Sequence, residues 1–285
     1  METRVSSASK EVLIGDGQPT VLIGERINPT GKETMSKALR NGELKIIYEE
    51  AIDQVRAGAN ILDVNVNAHG VKEKDFLPHV VQAVMETVDV PLCIDSADPE
   101  ALEAALKVYK GKPLINSVTG EKHSLTKVLQ LAKDYGAAVI ALLQDDGGIP
   151  DNWERRIAIA HKILEAGERL GINRADIIVD CLVLPVGNNT RFGSLALETI
   201  RKIKTHVGLN VVAAASNISF GLPGRNTLNS TFIAMAIESG VNCLIADVAK
   251  VRSIVLSADL LLDRDSYAKR YTEPYRKNRP EKMDR

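Results

Sequence analysis

Short apolar runs recur along almost the whole chain, and each closes on a carboxylate or a carboxamide. They read ILDVNVN, PLCIDS, PLINSV, DIIVDC, VVAAASN and CLIADV, and they carry Asp63, Asp95, Asn116, Asp180, Asn217 and Asp247 at or near their ends. Consecutive apolar positions rich in β-branched residues are the mark of parallel strands buried on both faces. Strands are predicted at 20–24, 60–66, 91–95, 113–116, 137–143, 176–180, 209–215 and 242–247. Between them, helical spacing of apolar residues covers 43–57, 75–87, 99–109, 123–135, 152–170, 194–206, 227–239 and 250–262. Asp98 before Pro99 makes a good helix start, and Asn226 or Thr227 another. Gly58, Gly136, Gly171 and Gly240 each follow a helix, where a left-handed residue commonly ends it. Strands alternating with helices in this number predict an α/β fold of the (β/α)8 TIM-barrel type, as a single domain. An open doubly wound sheet is the alternative. It would normally carry a Gly-rich phosphate turn after the first strand, and GERINPTG is not GxGxxG.

Composition narrows the picture. The chain has 285 residues, 45% of them hydrophobic, which suffices for one barrel core. A formal net charge of −1 gives no reason to expect a nucleic-acid partner. The three cysteines, Cys93, Cys181 and Cys243, lie far apart with no CxxC pair, which predicts a reducing compartment without a disulfide framework. No apolar run approaches the length of a membrane span, and no signal-peptide core opens the chain. The expected location is therefore cytoplasmic. Residues 1–19 read as an N-terminal arm or flap, 20–265 as the barrel, and 266–285 as a charged tail that frays.

Polar endings on parallel strands are where α/β folds collect ligands. Six such endings at one mouth make a pocket rich in hydrogen-bond acceptors and donors and poor in cations. That suits a nitrogen heterocycle whose edge alternates N–H and N better than it suits a phosphate.

GERIN (Gly24 to Asn28), LDVNV (Leu62 to Val66), CIDS (Cys93 to Ser96), INS (Ile115 to Ser117), the aspartate of IVDCLVLP (Asp180) and SNIS (Ser216 to Ser219) follow one another at strand ends. As a set they resemble the methyltetrahydrofolate:corrinoid protein methyltransferases, a family of one-carbon metabolism that includes the folate domain of cobalamin-dependent methionine synthase. The resemblance covers about 20–265. Dihydropteroate synthase is a relative with the same barrel, but it would carry a lysine at strand six where this chain reads DCLVLPVG. The resemblance implies a methyl group exchanged between N5 of tetrahydrofolate and the cobalt of a corrinoid. Alternatives are a tetrahydromethanopterin-dependent methyltransferase, a dihydropteroate synthase-like enzyme and a non-catalytic pterin-binding subunit.

The residues support that chemistry in their own right. A reduced pterin presents N1, a 2-amino group, N3–H and O4 along one edge. Carboxylates accept from the N–H groups, and asparagine both donates and accepts. Asp95, Asn116 and Asp180 are the expected contacts. Glu25 and Asn28 belong to the same pocket by resemblance, with Asp63 beside them. Asp63, Asn65 and Asn67 are not all expected to face it. Asn217 is expected near N5 as the catalytic residue. A preorganised amide dipole there stabilises charge that develops in the transition state, but it does not titrate, so the proton must pass through water or a carboxylate. Arg225 is expected to pair with the outer end of the folate.

The corrinoid-binding DxHxxG signature is absent, since DFLPHVV has the wrong spacing. The corrinoid is therefore expected on a separate protein, with the 144–151 and 186–193 loops as rims of an open mouth. His69 and His123 lack partners at ligand spacing, so no tightly bound metal is expected. Helices 194–206, 227–239 and 250–262 are apolar beyond one stripe. That surplus predicts a homodimer, or a terminal segment folded over those helices.

Overall fold

A computed structural model gives the architecture and describes residues 1–277. The chain runs β1 (Glu2–Ser6), β2 (Glu11–Gly15), β3 (Val21–Ile27), α1 (Glu33–Arg40), α2 (Lys45–Ala57), β4 (Ile61–Asn65), α3 (Glu73–Thr87), β5 (Leu92–Asp95), α4 (Pro99–Val108) and β6 (Leu114–Thr119). It continues through α5 (Lys122–Asp134), β7 (Ala138–Leu142), α6 (Trp153–Arg169), β8 (Ile177–Asp180), α7 (Arg191–Lys202), β9 (Asn210–Ala214), α8 (Arg225–Ser239), β10 (Cys243–Ala246), α9 (Val248–Leu261) and α10 (Lys269–Lys277). Strands β3 to β10 pair in parallel and close into a barrel in the order β10-β3-β4-β5-β6-β7-β8-β9. This is the predicted TIM barrel.

The strands read as continuous apolar runs because both faces are buried. Leu62, Val64, Leu92, Ile94, Ile115, Val139 and Val179 pack outward under the helices. Ile23, Ile61, Cys93, Leu114, Ile140, Ile178, Val212 and Cys243 fill the barrel interior. The period of two then fixes what comes next. Two residues beyond Ile23, Ile61, Cys93, Leu114 and Ile178 stand Glu25, Asp63, Asp95, Asn116 and Asp180, the following inward positions on their strands.

Several expectations change. Residues 1–19 are not a flap: β1 and β2 form an antiparallel hairpin. Its inner face alternates, so that Val5 and Ile14 are 0% exposed and join the interior cluster at the N-terminal end of the barrel. Asn210 Nδ2 donates to Thr3 Oγ1 at 3.0 Å and to the Ile14 carbonyl at 2.8 Å, fastening the hairpin under β9. Helix α1 was not predicted; it is one short amphipathic segment burying Met35, Ala38 and Leu39. Helix α8 starts before the expected cap, at Gly224, which takes a left-handed φ of 63° and offers no side-chain cap. Asp98 does cap α4, accepting from the Glu100 amide at 2.9 Å. Part of the tail is ordered as α10, which Arg270 ties to the fully buried Asp259 of α9 at 2.8 Å. The rest of the tail, 278–285, lies outside the described residues.

The surplus apolar faces late in the chain are partly absorbed by neighbours. Phe232, Ile233, Ala236 and Ile237 of α8 are buried, as are Val248, Val251, Val255 and Leu256 of α9. Met235, Leu261 and Leu262 remain 46%, 85% and 39% exposed.

Candidate functional site

A cavity of about 710 Å³ opens at the C-terminal end of the barrel. Glu25, Asn28, Asp63, Asp95, Asn116, Asp180, Asn217 and Arg225 all line it. Every position singled out in the sequence as a binding or catalytic candidate is thus brought to one place.

The strands position them by register. Asn65 pairs with Asp95 and Asp95 with Asn116 across β4, β5 and β6. Asn65 Nδ2 donates to Asp95 Oδ2 at 2.9 Å, and Asn116 Nδ2 donates to Asp63 Oδ1 at 3.2 Å. Asp63 and Asn65, two residues apart, share a face of β4 and serve the same floor, whereas Asn67 lies beyond the strand and is exposed. Asp180 ends β8 and accepts from the Leu182 amide at 2.8 Å. Leu182 has a φ of 57°, a left-handed conformation uncommon for a branched side chain. Buried Arg156 braces that turn by donating to the Cys181 and Leu182 carbonyls at 2.8 and 3.1 Å. This brace is not legible in the sequence, because an arginine on an amphipathic helix ordinarily faces water.

Burial dominates the electrostatics of the floor. It pushes both Asp95 and Asp180 up to about 6. At Asp95 the bond from Asn65 opposes the rise; at Asp180 the Leu182 amide and the Arg156 charge do. Asp63, 2% exposed, lies well above the usual carboxylate range, first through burial and then through the nearby charge of Asp95. A carboxylate offers about four acceptor positions. The protein fills few of them here, so the floor keeps acceptor capacity turned to the cavity.

The lip is built differently. Asn217 is exposed in a short 3-10 turn, Ala215–Ser219, that follows β9. Ser216 beside it donates to both oxygens of Glu25 at 3.4 Å. Burial raises the Glu25 carboxyl, and the charge of Lys32 opposes that rise. Asn28 accepts from the Thr30 amide at 2.9 Å, so it shapes its own turn as well as lining the cavity. Arg225 donates from Nε to Ser219 Oγ and from Nη2 to the Ser216 carbonyl, both at 3.0 Å, which fixes its guanidinium over the turn that bears Asn217. Arg26, Lys32, Ser216, Asn229 and Lys250 also line the cavity, so with Arg225 its rim is cationic, against the expectation of a pocket poor in cations. Lys32 sits in a loop whose path to the mouth only the closed barrel reveals.

Among the described residues no group of three or more His, Cys, Asp and Glu is placed to hold a metal ion. The three cysteines are free and buried, Cys93 and Cys243 inside the barrel and Cys181 beneath the helices. Among the described residues no helix is long and apolar enough to cross a membrane. Asp145 of the 144–148 loop pairs with Arg155 at 2.9 Å, so that acidic stretch is a closed turn.

The family described as pterin binding enzyme matches residues 24–247. The methylcorrinoid:tetrahydrofolate methyltransferase of Eubacterium limosum is 29% identical over 266 residues, covering 91% of this chain and 97% of that protein. The methionine synthases of Mycobacterium leprae (strain TN) and Mycobacterium tuberculosis (strain ATCC 25618 / H37Rv) are each 27% identical, over 89% and 88% of this chain. The chain spans 22% of the length of each. Among solved structures, a Yersinia pestis dihydropteroate synthase with a pterine-sulfa conjugate superposes with a TM-score of 0.71 at 16% identity, covering 92% of this chain and 99% of that one. The Xanthomonas albilineans dihydropteroate synthase in complex with 7,8-dihydropteroate gives 0.68 at 19% identity, covering 91% and 98%. These two share the fold.

Proposed function

The chain belongs to the pterin-binding enzymes, and from that premise we propose that it is a methyltransferase acting between N5 of tetrahydrofolate and the cobalt of a corrinoid carried by a separate protein. The observation that carries this reading is the pairing of two features in one cavity. Buried carboxylates with spare acceptor capacity, Asp63, Asp95 and Asp180, form the floor beside Asn116, and an exposed asparagine, Asn217, stands at the lip. The likeness to the Eubacterium limosum enzyme, over nearly the full length of both chains, supports methyl transfer over mere pterin storage.

The chemistry follows from the side chains. Asp95 and Asp180 accept from the N3–H and 2-amino groups of the pterin, and Asn116 donates to its ring acceptors. Such bonds offset the burial of these groups. With the pterin so held, its N5 edge is left toward the lip. In the direction that methylates folate, the N5 lone pair takes the methyl group, the carbon–cobalt bond breaks with its electron pair left on cobalt, and N5 sheds its proton. In reverse, N5 leaves as a neutral amine once protonated. The Asn217 dipole stabilises the charge on N5, and stabilisation confined to the transition state raises the rate. Glu25 holds the proton through Ser216, next in the chain to Asn217. Dihydropteroate synthesis is disfavoured because the strand-six lysine it needs is absent from DCLVLPVG.

The open mouth suits a corrinoid delivered on a partner protein. Exposed Met235, Leu261 and Leu262 support a homodimer, and the three unpaired cysteines fit a reducing cytoplasm. The test is the visible spectrum of methylcobalamin mixed with the protein and tetrahydrofolate. Protein-dependent loss of the methylcobalamin bands, matched by methyltetrahydrofolate formed, is expected. Tetrahydrofolate binding with no spectral change would leave a binding protein and no enzyme.

A further inference from the structure

The two sides of the cavity differ in charge. Over β4, β5, β6 and β8 the lining is made of acceptors. Over β3, β9 and β10 the rim carries Arg26, Lys32, Arg225 and Lys250. Two of these cations are matched by carboxylates: Arg26 meets Glu50 at 2.8 Å and Asp247 at 3.8 Å, and Lys250 meets Asp247 at 2.8 Å. Lys32 and Arg225 have no carboxylate within ion-pair distance among the described residues. Lys32 Nζ donates to the Arg26 carbonyl at 2.7 Å, and burial, then the charge of Arg26, lowers its pKa. The charges of Glu50, Glu25 and Asp247 reach it only from farther off. Arg225, already fixed by Ser219 and Ser216, lies 5.9 Å over the exposed ring of Phe220.

Helix α8 adds a third feature. Asn226, Asn229 and Ser230 of its first turns line the same cavity beside Arg225. Its start has no side-chain cap, and the Gly224 carbonyl takes the Thr227 and Leu228 amides at 3.1 and 3.4 Å. Asn229 Oδ1 is buried and has no hydrogen-bond partner among the described residues. A buried carbonyl oxygen of this kind calls for an N–H donor.

One ligand shape answers all of these at once. It sets a heterocycle on the acceptor floor, passes an aromatic ring and an amide N–H along α8, and ends in carboxylates at the rim. Reduced folates have that order, and each added γ-linked glutamate brings another carboxylate. Resting on the folate reading above, we propose that Lys32 and Arg225 form an anion clamp for the glutamate tail, so that the enzyme selects oligoglutamyl over monoglutamyl tetrahydrofolate. Phe220 flanks the aminobenzoyl ring, and Asn229 accepts from the amide N–H. The matched pairs at Arg26 and Lys250 leave Lys32 and Arg225, among the described residues, to take new carboxylates.

Titration calorimetry at low salt tests this with three probes: tetrahydrofolate monoglutamate, its triglutamate, and 6-methyltetrahydropterin, which lacks any tail. The triglutamate is expected to bind about tenfold more tightly than the monoglutamate, with the gap narrowing in high salt as exposed charges are screened. Lys32→Gln should close most of that gap while 6-methyltetrahydropterin binds as before. Arg225→Gln should act in the same direction, which guards against one variant failing to fold. Equal binding of mono- and triglutamate, or a gap unchanged in both variants, would overturn the clamp and leave the pterin site standing. Failure of 6-methyltetrahydropterin to bind the wild type would overturn the folate reading itself, and the clamp with it.

Discussion

The two ends of this barrel are built from the same strands and behave as opposites. At the N-terminal end the inward positions are Ile23, Ile61, Cys93, Leu114 and Ile178, sealed by Val5 and Ile14 of the hairpin. Two residues further along each strand the inward positions become Glu25, Asp63, Asp95, Asn116 and Asp180. Two residues span roughly 6.6 Å of strand. Within that distance the interior passes from fully apolar to acidic. The closed end stabilises the fold by burying hydrocarbon. The open end holds carboxylates in a setting that raises their pKa, which works against the fold and leaves groups ready for a ligand.

Mutations at the two ends should therefore separate stability from function. The largest effect is expected at the plug. Ile14→Ala removes a fully buried side chain and should lower stability by about 2–5 kcal/mol, read by denaturant unfolding. Tetrahydrofolate affinity of the folded fraction should not change. A loss of affinity there would mean that the ends are coupled.

Asn217→Ala should do the reverse. Loss of one preorganised transition-state contact costs on the order of a hundredfold in rate. Stopped-flow spectra of the corrinoid should show that loss, and calorimetry should show pterin affinity falling much less. Equal losses would make Asn217 a ground-state ligand.

On the floor, Asp95→Ala, Asn116→Ala and Asp180→Ala should each weaken tetrahydrofolate binding by about ten- to a hundredfold, the worth of a charge-assisted hydrogen bond of roughly 1.5–3 kcal/mol. Calorimetry on the folded variants checks this, and unchanged affinity in all three would remove the floor from the binding site.

The smallest effect is the most telling for the contrast. Asp180 has a folded pKa of about 6 against an ordinary value of 3.8, so the native state holds its proton more tightly than the unfolded chain does. Stability from this group is full below the lower value and is lost as pH rises through about 6. Asp180→Asn should therefore stabilise the ligand-free protein by about 1–3 kcal/mol at pH 8 and by almost nothing at pH 4. Thermal unfolding at the two pH values measures it.

Most of the barrel was legible because a buried parallel strand writes itself as a short apolar run, and a period of two makes its last inward position conspicuous when it is polar. Asp95, Asn116 and Asp180 stand out for that reason. The hairpin was obscured because each strand offers few inward apolar residues, Val5 on one and Val12 and Ile14 on the other, among charges. Helix α1 was hidden by its length of 8 residues, too short for periodicity to declare itself. The cationic rim was also out of view. Lys32 and Arg225 are far apart in sequence, and their lack of carboxylate partners among the described residues is a property of the closed barrel.

We expect the floor carboxylates to stay short of donors until a pterin supplies them. Calorimetric titration of tetrahydrofolate in buffers of different ionisation enthalpy tests it directly. Asp95 and Asp180, each near 6 in the free protein, should be pulled lower by the N–H groups of the ligand. Binding should then release protons at pH 6 and almost none at pH 8. Tight binding with no proton release at pH 6, or with uptake, would contradict the account.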